Sequence, residues 1–316
     1  MFITRINKTV ATIGMSLVLA ISAAPATADN MDVLGQFLQQ NFPDEKDPLG
    51  AFLVENPTAQ ISEQAAIAGP LLSSQAALIM NSKTGEVLYQ KNINRVMPIA
   101  SISKLMAAMV VLDGNLNMNE QITITDNEID RLKGTSSRLS IGTTLTRKEL
   151  LHLGLMSSEN RAIHALGRTY PGGMSAFVSA MNAKAQSLGM SNTRFYEPTG
   201  LDSRNVSTAS DLSKMVSAAS DYSVIRQNSV SNSGSVYTSG GQQQSYKSSN
   251  ALVREGSWNI DLQKTGYIRE SGRSMVVKAR ISNQPITIVL LNSPSSTTRV
   301  NDARQIESWM NQQRRS

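Results

Sequence analysis

The spacing of apolar residues changes twice along the chain, which places strands near both ends of a domain and helices between them. "AALIMNSKTGEVLYQ" (76–90) has two short apolar runs around Asn-Ser-Lys-Thr-Gly, a turn sequence closed by glycine, and predicts a β-hairpin. "SMVVKARI" (274–281) and "ITIVLLN" (286–292), separated by Ser-Asn-Gln-Pro, predict another hairpin. Between the two hairpins the apolar positions follow a helical period instead.

The middle of the chain predicts four helices. The first, at 101–114, is mostly apolar and ends at Asp113-Gly114, which is typical of a buried helix. The second begins with Thr146 and Glu149, whose spacing of three predicts a capping box. Two more are "GGMSAFVSAMNAKAQSLG" (172–189) and "STASDLSKMVSAAS" (207–220), and "VNDARQIESWMNQQRR" (300–315) predicts a last helix beyond the second hairpin.

These elements predict an α+β fold, with one antiparallel sheet flanked by helices. The sheet would contain the first hairpin and the last three strands, and an all-helical lobe would be inserted between them. We expect an α/β lobe at 71–100 and 258–316 and a helical lobe at 101–257, with a site in the cleft between them. Residues 229–250, rich in Ser, Gly and Gln, are either a flexible loop or a surface hairpin turning at Gly240-Gly241.

The N-terminus carries the pattern of a secretory signal peptide. Arg5 and Lys8 precede an apolar run, and Ala-x-Ala at Ala26–Ala28 offers a cleavage site before Asp29. Residues 1–28 are therefore predicted to be removed, and 29–70, with scattered prolines, are predicted to be a loosely ordered leader. The expected location of the protein is the periplasm, without a stable membrane anchor.

Composition narrows the possible functions. Of the 316 residues 40% are hydrophobic but only 5% are aromatic, which favours an aliphatic core over a stacking platform for nucleic acid. Removal of residues 1–28, which contain Arg5 and Lys8 and no acid, changes the formal net charge from +6 to +4 (6 − 2 = 4), and this mildly basic balance suits a substrate that bears carboxylates. There is no cysteine, so thiol nucleophiles, disulfides and zinc–thiolate sites are excluded. The only histidines, His152 and His164, are interpreted as helix-surface residues, and no metal or cofactor is predicted.

One Ser-x-x-Lys motif, Ser101 to Lys104, offers a nucleophile and its base. Three residues along a helix place both side chains on one face, and Ser101 lies near the helix start, where free N–H groups favour negative charge. Lys104 can act as a base only if its pKa falls from about 10.4 toward 7, roughly 4–5 kcal/mol of bias. For this motif alone, a helix start with a snorkelling lysine is the simpler interpretation.

Two further motifs recur, so position must select among the copies. Ser-x-Asn begins at Ser158, Ser203, Ser248 and Ser257, and only Ser158-Glu159-Asn160 follows a helix of the insert. Lys-Thr-Gly occurs at Lys83, in the tip of the first hairpin, and at Lys264-Thr265-Gly266, in a predicted strand. A lysine that meets Ser101 across the cleft should lie on a strand, which selects the second copy.

These motifs, in this order, are those of β-lactamases and penicillin-binding proteins. Segments such as "PIASISKLM", "LGLMSSENRA" and "LQKTGYIRESGRSMVV" resemble the low-molecular-mass D-alanyl-D-alanine peptidases, and within them the soluble endopeptidase type. The likeness extends from about Ala76 to the C-terminus. It implies a β-lactamase/transpeptidase-like fold, peptidoglycan stem peptides as substrates, β-lactam antibiotics as covalent inhibitors, and neither metal nor cofactor.

The resemblance also implies a role for each motif residue. Ser101 would attack the carbonyl of a D-alanyl peptide bond while neutral Lys104 takes its proton. Ser158, with Lys264, would relay a proton to the departing amine. Asn160 would orient both the substrate and Lys104, whereas Lys264 and Thr265 would bind a carboxylate. Gly266 would leave room for the substrate. The N–H groups of Ser101 and Tyr267 would form the oxyanion hole.

Several alternatives stay open. The D-alanyl-D-alanine carboxypeptidases usually continue into a β-rich domain and an amphipathic anchor, and residues 267–316 hold only the second hairpin and one helix, which favours the endopeptidase. A carboxypeptidase trimming pentapeptides shares all three motifs. A β-lactamase would need a further base, for which Glu197 is the candidate, although we interpret Glu197 as a loop acid before a Pro-Thr-Gly turn. A non-catalytic wall-binding protein would not need the pairing of Ser101 with Lys104.

Overall fold

The structure is a computed structural model that describes residues 69–313, so the predicted signal peptide and most of the predicted leader lie outside the described residues. Its centre is a five-stranded antiparallel sheet. The strands are β1 (Ala76–Asn81), β2 (Val87–Lys91), β9 (Asn259–Ile268), β10 (Gly272–Ile281) and β11 (Gln284–Ser293), in the spatial order β2-β1-β11-β10-β9. The predicted sheet, built from the first hairpin and the last three strands, is confirmed.

Both predicted hairpins are present, and their turns explain their registers. Ser282 and Asn283 join β10 to β11 with φ of 51° and 63°, the left-handed pair that a two-residue hairpin turn requires. The predicted four-residue turn is therefore shorter, and Gln284 already belongs to β11. Gly85, at φ +77°, closes the turn between β1 and β2, and Lys83 is exposed there. The first Lys-Thr-Gly is thus turn sequence, as predicted.

The sheet is covered on both faces, which explains why its inner strands are almost continuously apolar. On one face Ala77, Ile79 and Val277 pack against helix α8 (Ser296–Gln313). The predicted apolar side of this helix supplies the contacts, through Val300, Ala303, Ile306 and Met310. Alternate residues of the same strands, among them Leu78 and Val289, join the core formed with the inserted helices.

The insert is built around helix α1 (Ser103–Asp113), whose residues from Ser103 to Val111 are all buried. A helix that is apolar on every side belongs inside the core. Around it lie α2 (Arg147–Met156), α3 (Asn160–Arg168), α4 (Gly173–Ser187) and α5 (Ala209–Ala219). The predicted capping box of α2 is formed, since Thr146 accepts from the N–H of Glu149 and its own N–H donates to the Glu149 carboxylate. Helix α5 also packs against the sheet, on β1, β10 and β11.

Short strands occur within the insert as well, so it is less purely helical than the sequence suggests. They pair as β3 (Met97–Pro98) with β6 (Val206–Ser207), β4 (Gln121–Thr123) with β5 (Thr144–Thr146), and β7 (Ser233–Tyr237) with β8 (Gln243–Lys247). The last pair shows that 229–250 includes a surface hairpin, one of the two alternatives, with Gly241 in its turn at φ +69°. Strands of two or three residues carry no readable alternation. The helices α6 (Ser223–Ser229) and α7 (Ala251–Glu255) are similarly short.

Helix α8 also fixes the chain that enters β1. Asp302, buried in α8, accepts hydrogen bonds from the backbone N–H groups of Ser73 and Ser74 at 2.9 and 2.8 Å, and from the Ser74 hydroxyl at 2.6 Å. Among residues 69–313, no helix combines the length and the hydropathy that crossing a bilayer requires.

Replacing Asp302 with alanine should destabilise the fold. The change removes the acceptor of two N–H groups, that of exposed Ser73 and that of buried Ser74, and leaves the Ser74 hydroxyl with Ser293 as its remaining partner. The loss should lower the free energy of unfolding by about 1–3 kcal/mol. Urea denaturation followed by circular dichroism measures this. Asp221→Ala, which removes an exposed carboxylate, is the control and should change stability by no more than about 0.5 kcal/mol. Equal stabilities for the two variants would contradict the role given to Asp302.

Candidate active site

A cleft of about 440 Å³ lies where β9 approaches the start of α1 and the turn between α2 and α3. The residues lining it include almost the whole set predicted from the sequence: Ser101, Ser158, Asn160, Thr265, Gly266 and Tyr267. Lys104 and Lys264 are completely buried beneath this lining. The structure therefore brings together three motifs that lie far apart in the sequence, beginning at Ser101, Ser158 and Lys264.

The buried amine of Lys104 is hydrogen-bonded to the hydroxyl of Ser101. Ser101 lies in a 3-10 turn (Ala100–Ile102) that leads directly into α1, and Lys104 follows in the first turn of that helix. The Nζ of Lys104 lies 2.7 Å from Ser101 Oγ, 2.8 Å from Asn160 Oδ1 and 2.5 Å from the carbonyl oxygen of Thr199. The predicted one-turn spacing of serine and lysine is thus realised as a direct contact.

Burial also lowers the pKa of Lys104 into the range in which an amine can act as a base near neutral pH. Desolvation lowers the pKa of Lys104 to about 7, although the negative charges of Glu197 and Glu159 oppose the shift. Near pH 7 a substantial fraction of the amine is therefore uncharged. A snorkelling lysine with its charge in water would keep an ordinary pKa, so the structure excludes that interpretation of the motif.

A second serine–lysine pair faces the first. Ser158 lies in the turn between α2 and α3, and Lys264 Nζ on β9 donates to Ser158 Oγ at 2.9 Å. Burial lowers the pKa of Lys264 well below its usual value, and the positive charges of Lys104 and Arg299 lower it further. The positive charge of Lys104 therefore disfavours the charged form of Lys264.

Two residues of the site have left-handed backbone conformations without being glycine. Ala100 has φ +47° directly before Ser101, and Ser158 has φ +65°. Such conformations cost of order 1–3 kcal/mol each and persist only where surrounding contacts hold them. At Ala100 a contact of this kind is the Ser103 hydroxyl, which donates to the Ala100 carbonyl at 2.9 Å. Both conformations set the position of a serine hydroxyl in the cleft.

Two glycines let other segments approach the turn that holds Ser101. A Cβ on Gly266 would lie 2.8 Å from the carbonyl oxygen of Ile99 and 3.2 Å from the backbone nitrogen of Ser101. A Cβ on Gly200, at φ +84°, would lie 1.9 Å from the carbonyl oxygen of Ala100. Gly266 was expected to leave room for a substrate. The structure gives it a further function, the close packing of β9 against the Ser101 turn.

The loop acid Glu197 is occupied by its own loop. Its carboxylate accepts from the N–H of Thr199 at 2.6 Å, the Thr199 hydroxyl at 2.5 Å and the N–H of Gly200 at 2.6 Å. These bonds form the Pro-Thr-Gly turn and direct the Thr199 carbonyl at Lys104. With its oxygens engaged in this way, Glu197 is not arranged as a base for an attacking water, and the structure favours its interpretation as a loop acid.

The arginines that line the cleft were not identified from the sequence. Arg299, at the start of α8, is only 5% exposed, and its Nη1 donates to the carbonyl oxygen of Ser274 while its Nε has no partner among the described residues. Burial, with the charges of Arg273 and Arg254, lowers the pKa of Arg299 to about 10, so it stays charged at neutral pH. Arg273 stacks on the Tyr267 ring, 3.4 Å from its centroid.

A signal for Arg299 was present in the sequence. Arg299 precedes Ala303, Ile306 and Met310 by four, seven and eleven residues, which places it on the apolar side of α8. A cation on a buried helix face needs a partner or a ligand.

The two histidines lie away from the lining of the cleft. His164 contacts the buried carboxylate of Glu128, with its Nδ1 3.2 Å from Oε1, and His152 on α2 is partly buried with its Nε2 unpartnered among the described residues. Both histidines were expected to be exposed on helix surfaces, and both are only partly exposed. Within 69–313 no cluster of histidine, aspartate and glutamate is arranged to hold a metal ion.

Comparison with known proteins agrees with this geometry. The model of the D-alanyl-D-alanine carboxypeptidase family matches residues 62–295. A D-alanyl-D-alanine endopeptidase of Pseudomonas aeruginosa is 42% identical, with 76% of this chain and 77% of that protein aligned, and one of Escherichia coli K12 is 41% identical over 76% and 78%. The crystal structure of the Streptomyces K15 DD-transpeptidase superposes with a TM-score of 0.71 at 28% identity, covering 76% of this chain and 97% of that one.

The chain belongs to the D-alanyl-D-alanine carboxypeptidase family of peptidases. The family resemblance read from the three motifs is thereby confirmed, as are the fold class and the assignment to the serine-type hydrolases.

Gly266→Ala should damage the site while leaving the sheet intact. The added methyl group must push β9 away from the Ser101 turn, and a displacement near 1 Å can slow chemistry by about 100-fold. The rate of covalent labelling by benzylpenicillin measures the effect. Gly240→Ala, where an added Cβ meets nothing within 4 Å, is the matched control and should label like the unaltered protein. Normal labelling of Gly266→Ala would show that this close packing is not required.

Proposed function

We propose that the protein is a serine DD-endopeptidase that hydrolyses D-alanyl cross-links in peptidoglycan through an acyl-enzyme on Ser101. The observation that carries this proposal is the contact of 2.7 Å between Ser101 Oγ and the buried amine of Lys104, whose pKa is about 7. The relatives that are 41–42% identical are named D-alanyl-D-alanine endopeptidases, which supports the endopeptidase over the carboxypeptidase.

Acylation begins with proton transfer from Ser101 to Lys104. As Ser101 Oγ attacks the carbonyl carbon of the D-alanyl residue, its proton passes to the uncharged Nζ of Lys104. The carbonyl oxygen gains negative charge and is stabilised by the backbone N–H groups of Ser101 and Tyr267. The partial positive charge at the start of α1 acts in the same direction. Asn160 keeps the amine aligned through its Oδ1, 2.8 Å from Nζ.

Collapse of the intermediate requires a proton for the departing amine. Ser158 Oγ gives that proton. The proton that Lys104 took from Ser101 replaces it by way of Lys264, whose Nζ lies 2.9 Å from Ser158 Oγ, so that both lysines end the step uncharged. The bond between the D-alanyl carbonyl and the amine breaks, which leaves the D-alanyl ester on Ser101. Water then hydrolyses the ester and regenerates the serine. A β-lactam that mimics the D-alanyl-D-alanine end would form the same ester and remain there.

A carboxylate beside the scissile bond is the natural ligand of the cationic end of the cleft. Thr265 and Lys264 contribute hydrogen-bond donors there, but the lowered pKa of Lys264 means that it tends toward the neutral form. Arg299 stays charged at neutral pH and has an unpartnered Nε, so it supplies the attraction for the anion. Carboxylate recognition is therefore shared by Lys264, Thr265 and Arg299.

The remaining assignments concern location and processing. Residues 1–28 would direct secretion and be cleaved, residues 29–70 would form a leader, and 71–316 would be the catalytic domain acting in the periplasm, where peptidoglycan lies. The catalytic domain would have an α/β lobe at 71–100 and 258–316 and a helical lobe at 101–257.

Digestion of purified sacculi tests the proposed reaction. The mature protein should remove D-alanyl–diaminopimelate cross-linked dimers and leave free pentapeptides untouched, as read by mass analysis of the released muropeptides. Ser101→Ala, which removes the nucleophile, should abolish this cleavage and also the labelling by benzylpenicillin. Loss of pentapeptides with dimers unchanged would identify a carboxypeptidase. Rapid turnover of penicillin that is lost in Glu197→Gln would identify a β-lactamase.

The acid strength of Lys104 sets the pH dependence of acylation. Only the uncharged amine accepts the serine proton, so the acylation rate should rise about tenfold per pH unit below the pKa of about 7 and level off above it. Stopped-flow measurement of benzylpenicillin acylation from pH 5 to 9 gives the profile. A rate that keeps rising to pH 9 without levelling off would contradict a base with a pKa lowered to about 7.

Lys104→Arg gives an independent test of the same role. A guanidinium stays charged throughout this pH range, so acylation should fall by about 10²–10⁴-fold. Lys148→Arg, a substitution of the same kind at an exposed position on α2, is the control and should acylate normally.

A further inference from the structure

A second groove continues from the cationic end of the active-site cleft. It has a volume of about 320 Å³ and lies between α7 and the first turns of α8, and we call it the α7–α8 groove. Ser249, Ser296 and Arg299 line both the cleft and this groove. The two cavities are therefore adjoining parts of one surface, with Arg299 at the junction.

The α7–α8 groove carries more positive than negative charge. Arg254, Arg299 and Arg304 line it together with a single carboxylate, that of Glu255. Glu255 is paired with Arg304, whose Nη2 lies 2.8 Å from Oε2 at the solvent-exposed rim. Arg254 is held in place by donating to the carbonyl oxygen of Ser248 at 2.6 Å. Neither Arg254 nor Arg299 forms an ion pair with a carboxylate of residues 69–313, which leaves the groove ready for an anion.

The position of the groove relative to the scissile bond defines what would enter it. In the proposed function, Lys264, Thr265 and Arg299 bind the carboxylate of the residue that follows the scissile bond. In a linear pentapeptide this carboxylate ends the chain, and nothing extends beyond Arg299. In a cross-link the same residue continues through its side chain into a second stem peptide, so the substrate extends beyond the carboxylate, and the adjoining groove is open to that extension.

We propose that the α7–α8 groove binds this second stem peptide, the leaving strand of a cross-linked dimer, through the free carboxylates of its acidic residues. The proposal rests on the proposed endopeptidase function and adds a subsite that only a cross-linked substrate can fill. Arg254 and Arg304 are its specificity-determining residues. Benzylpenicillin, which ends at its carboxylate, does not reach them.

The test compares a cross-linked dimer with benzylpenicillin on the same variants of the mature protein. Arg254→Ala and Arg304→Ala should each raise KM for a purified cross-linked muropeptide dimer about fivefold, with kcat nearly unchanged, because partly exposed charge pairs contribute modestly to binding. The double variant should show a larger increase. The rate of acylation by benzylpenicillin should stay within twofold of the unaltered protein in every case.

Two control variants and a change of salt concentration test whether the effect on KM comes from the charge of the arginines or from an altered structure. Arg280→Ala removes an exposed arginine beside the turn between β10 and β11, away from the groove, and should leave KM for the dimer unchanged. Arg254→Lys keeps the charge and should recover most of the affinity. Raising the salt concentration should increase KM for the dimer more steeply in the unaltered protein than in the double variant.

The outcomes distinguish this inference from the function on which it rests. An unaltered protein that cleaves the dimer, with a double variant of the same KM, overturns the α7–α8 groove alone. A double variant that also acylates slowly with benzylpenicillin overturns it too, since the arginines would then act on the cleft itself. An unaltered protein that acylates with benzylpenicillin but leaves the dimer intact overturns the endopeptidase function, and the groove assignment with it.

Discussion

The reaction proposed for this protein depends on one lysine that is excluded from water. Lys104 has no exposed surface, and desolvation lowers the pKa of its amine to about 7, so that it can take a proton from Ser101 at 2.7 Å. Charged and polar groups near the amine also affect its pKa and its position. Glu197 and Glu159 act against the shift, and the polar atoms of Asn160 and Thr199 hold the amine in place. Burial of the amine thus gives it the lowered pKa that a base needs, and the hydrogen bonds fix its position relative to Ser101.

Much of the remaining structure holds Ser101 and Lys104 in position against β9. The left-handed Ala100 presents Ser101, and the glycines at 200 and 266 allow two further segments to touch the turn that contains it. The sheet provides rigidity because it is covered on both faces, by α8 on one and by the inserted helices on the other. A site built in this way from a turn, a helix start and a segment of β9 takes its geometry from packing and hydrogen bonds within the fold.

The sequence was most informative where the periodicity was long or the motif was ordered. The sheet strands, α1 and the capping box of α2 could be predicted because each has a clear period or end signal. Ser101 could be selected because its motif occurs once, and Ser158 and Lys264 because the copies of their motifs differ in predicted secondary structure. The strands β3 to β6 could not, since two or three residues show no alternation. The contacts of Gly266 with Ile99 and Ser101 depend on tertiary approach, which no local pattern encodes.

Arg299 illustrates a conflict between folding and function. It occupies a position on the apolar side of α8 where a leucine would pack against the sheet without the desolvation of a charge. A screen that selected variants for heat resistance alone would therefore favour replacement of this arginine, and would not detect loss of the anion recognition proposed for it. Attempts to make such an enzyme more robust should leave the first turn of α8 untouched and seek their gains in exposed loops.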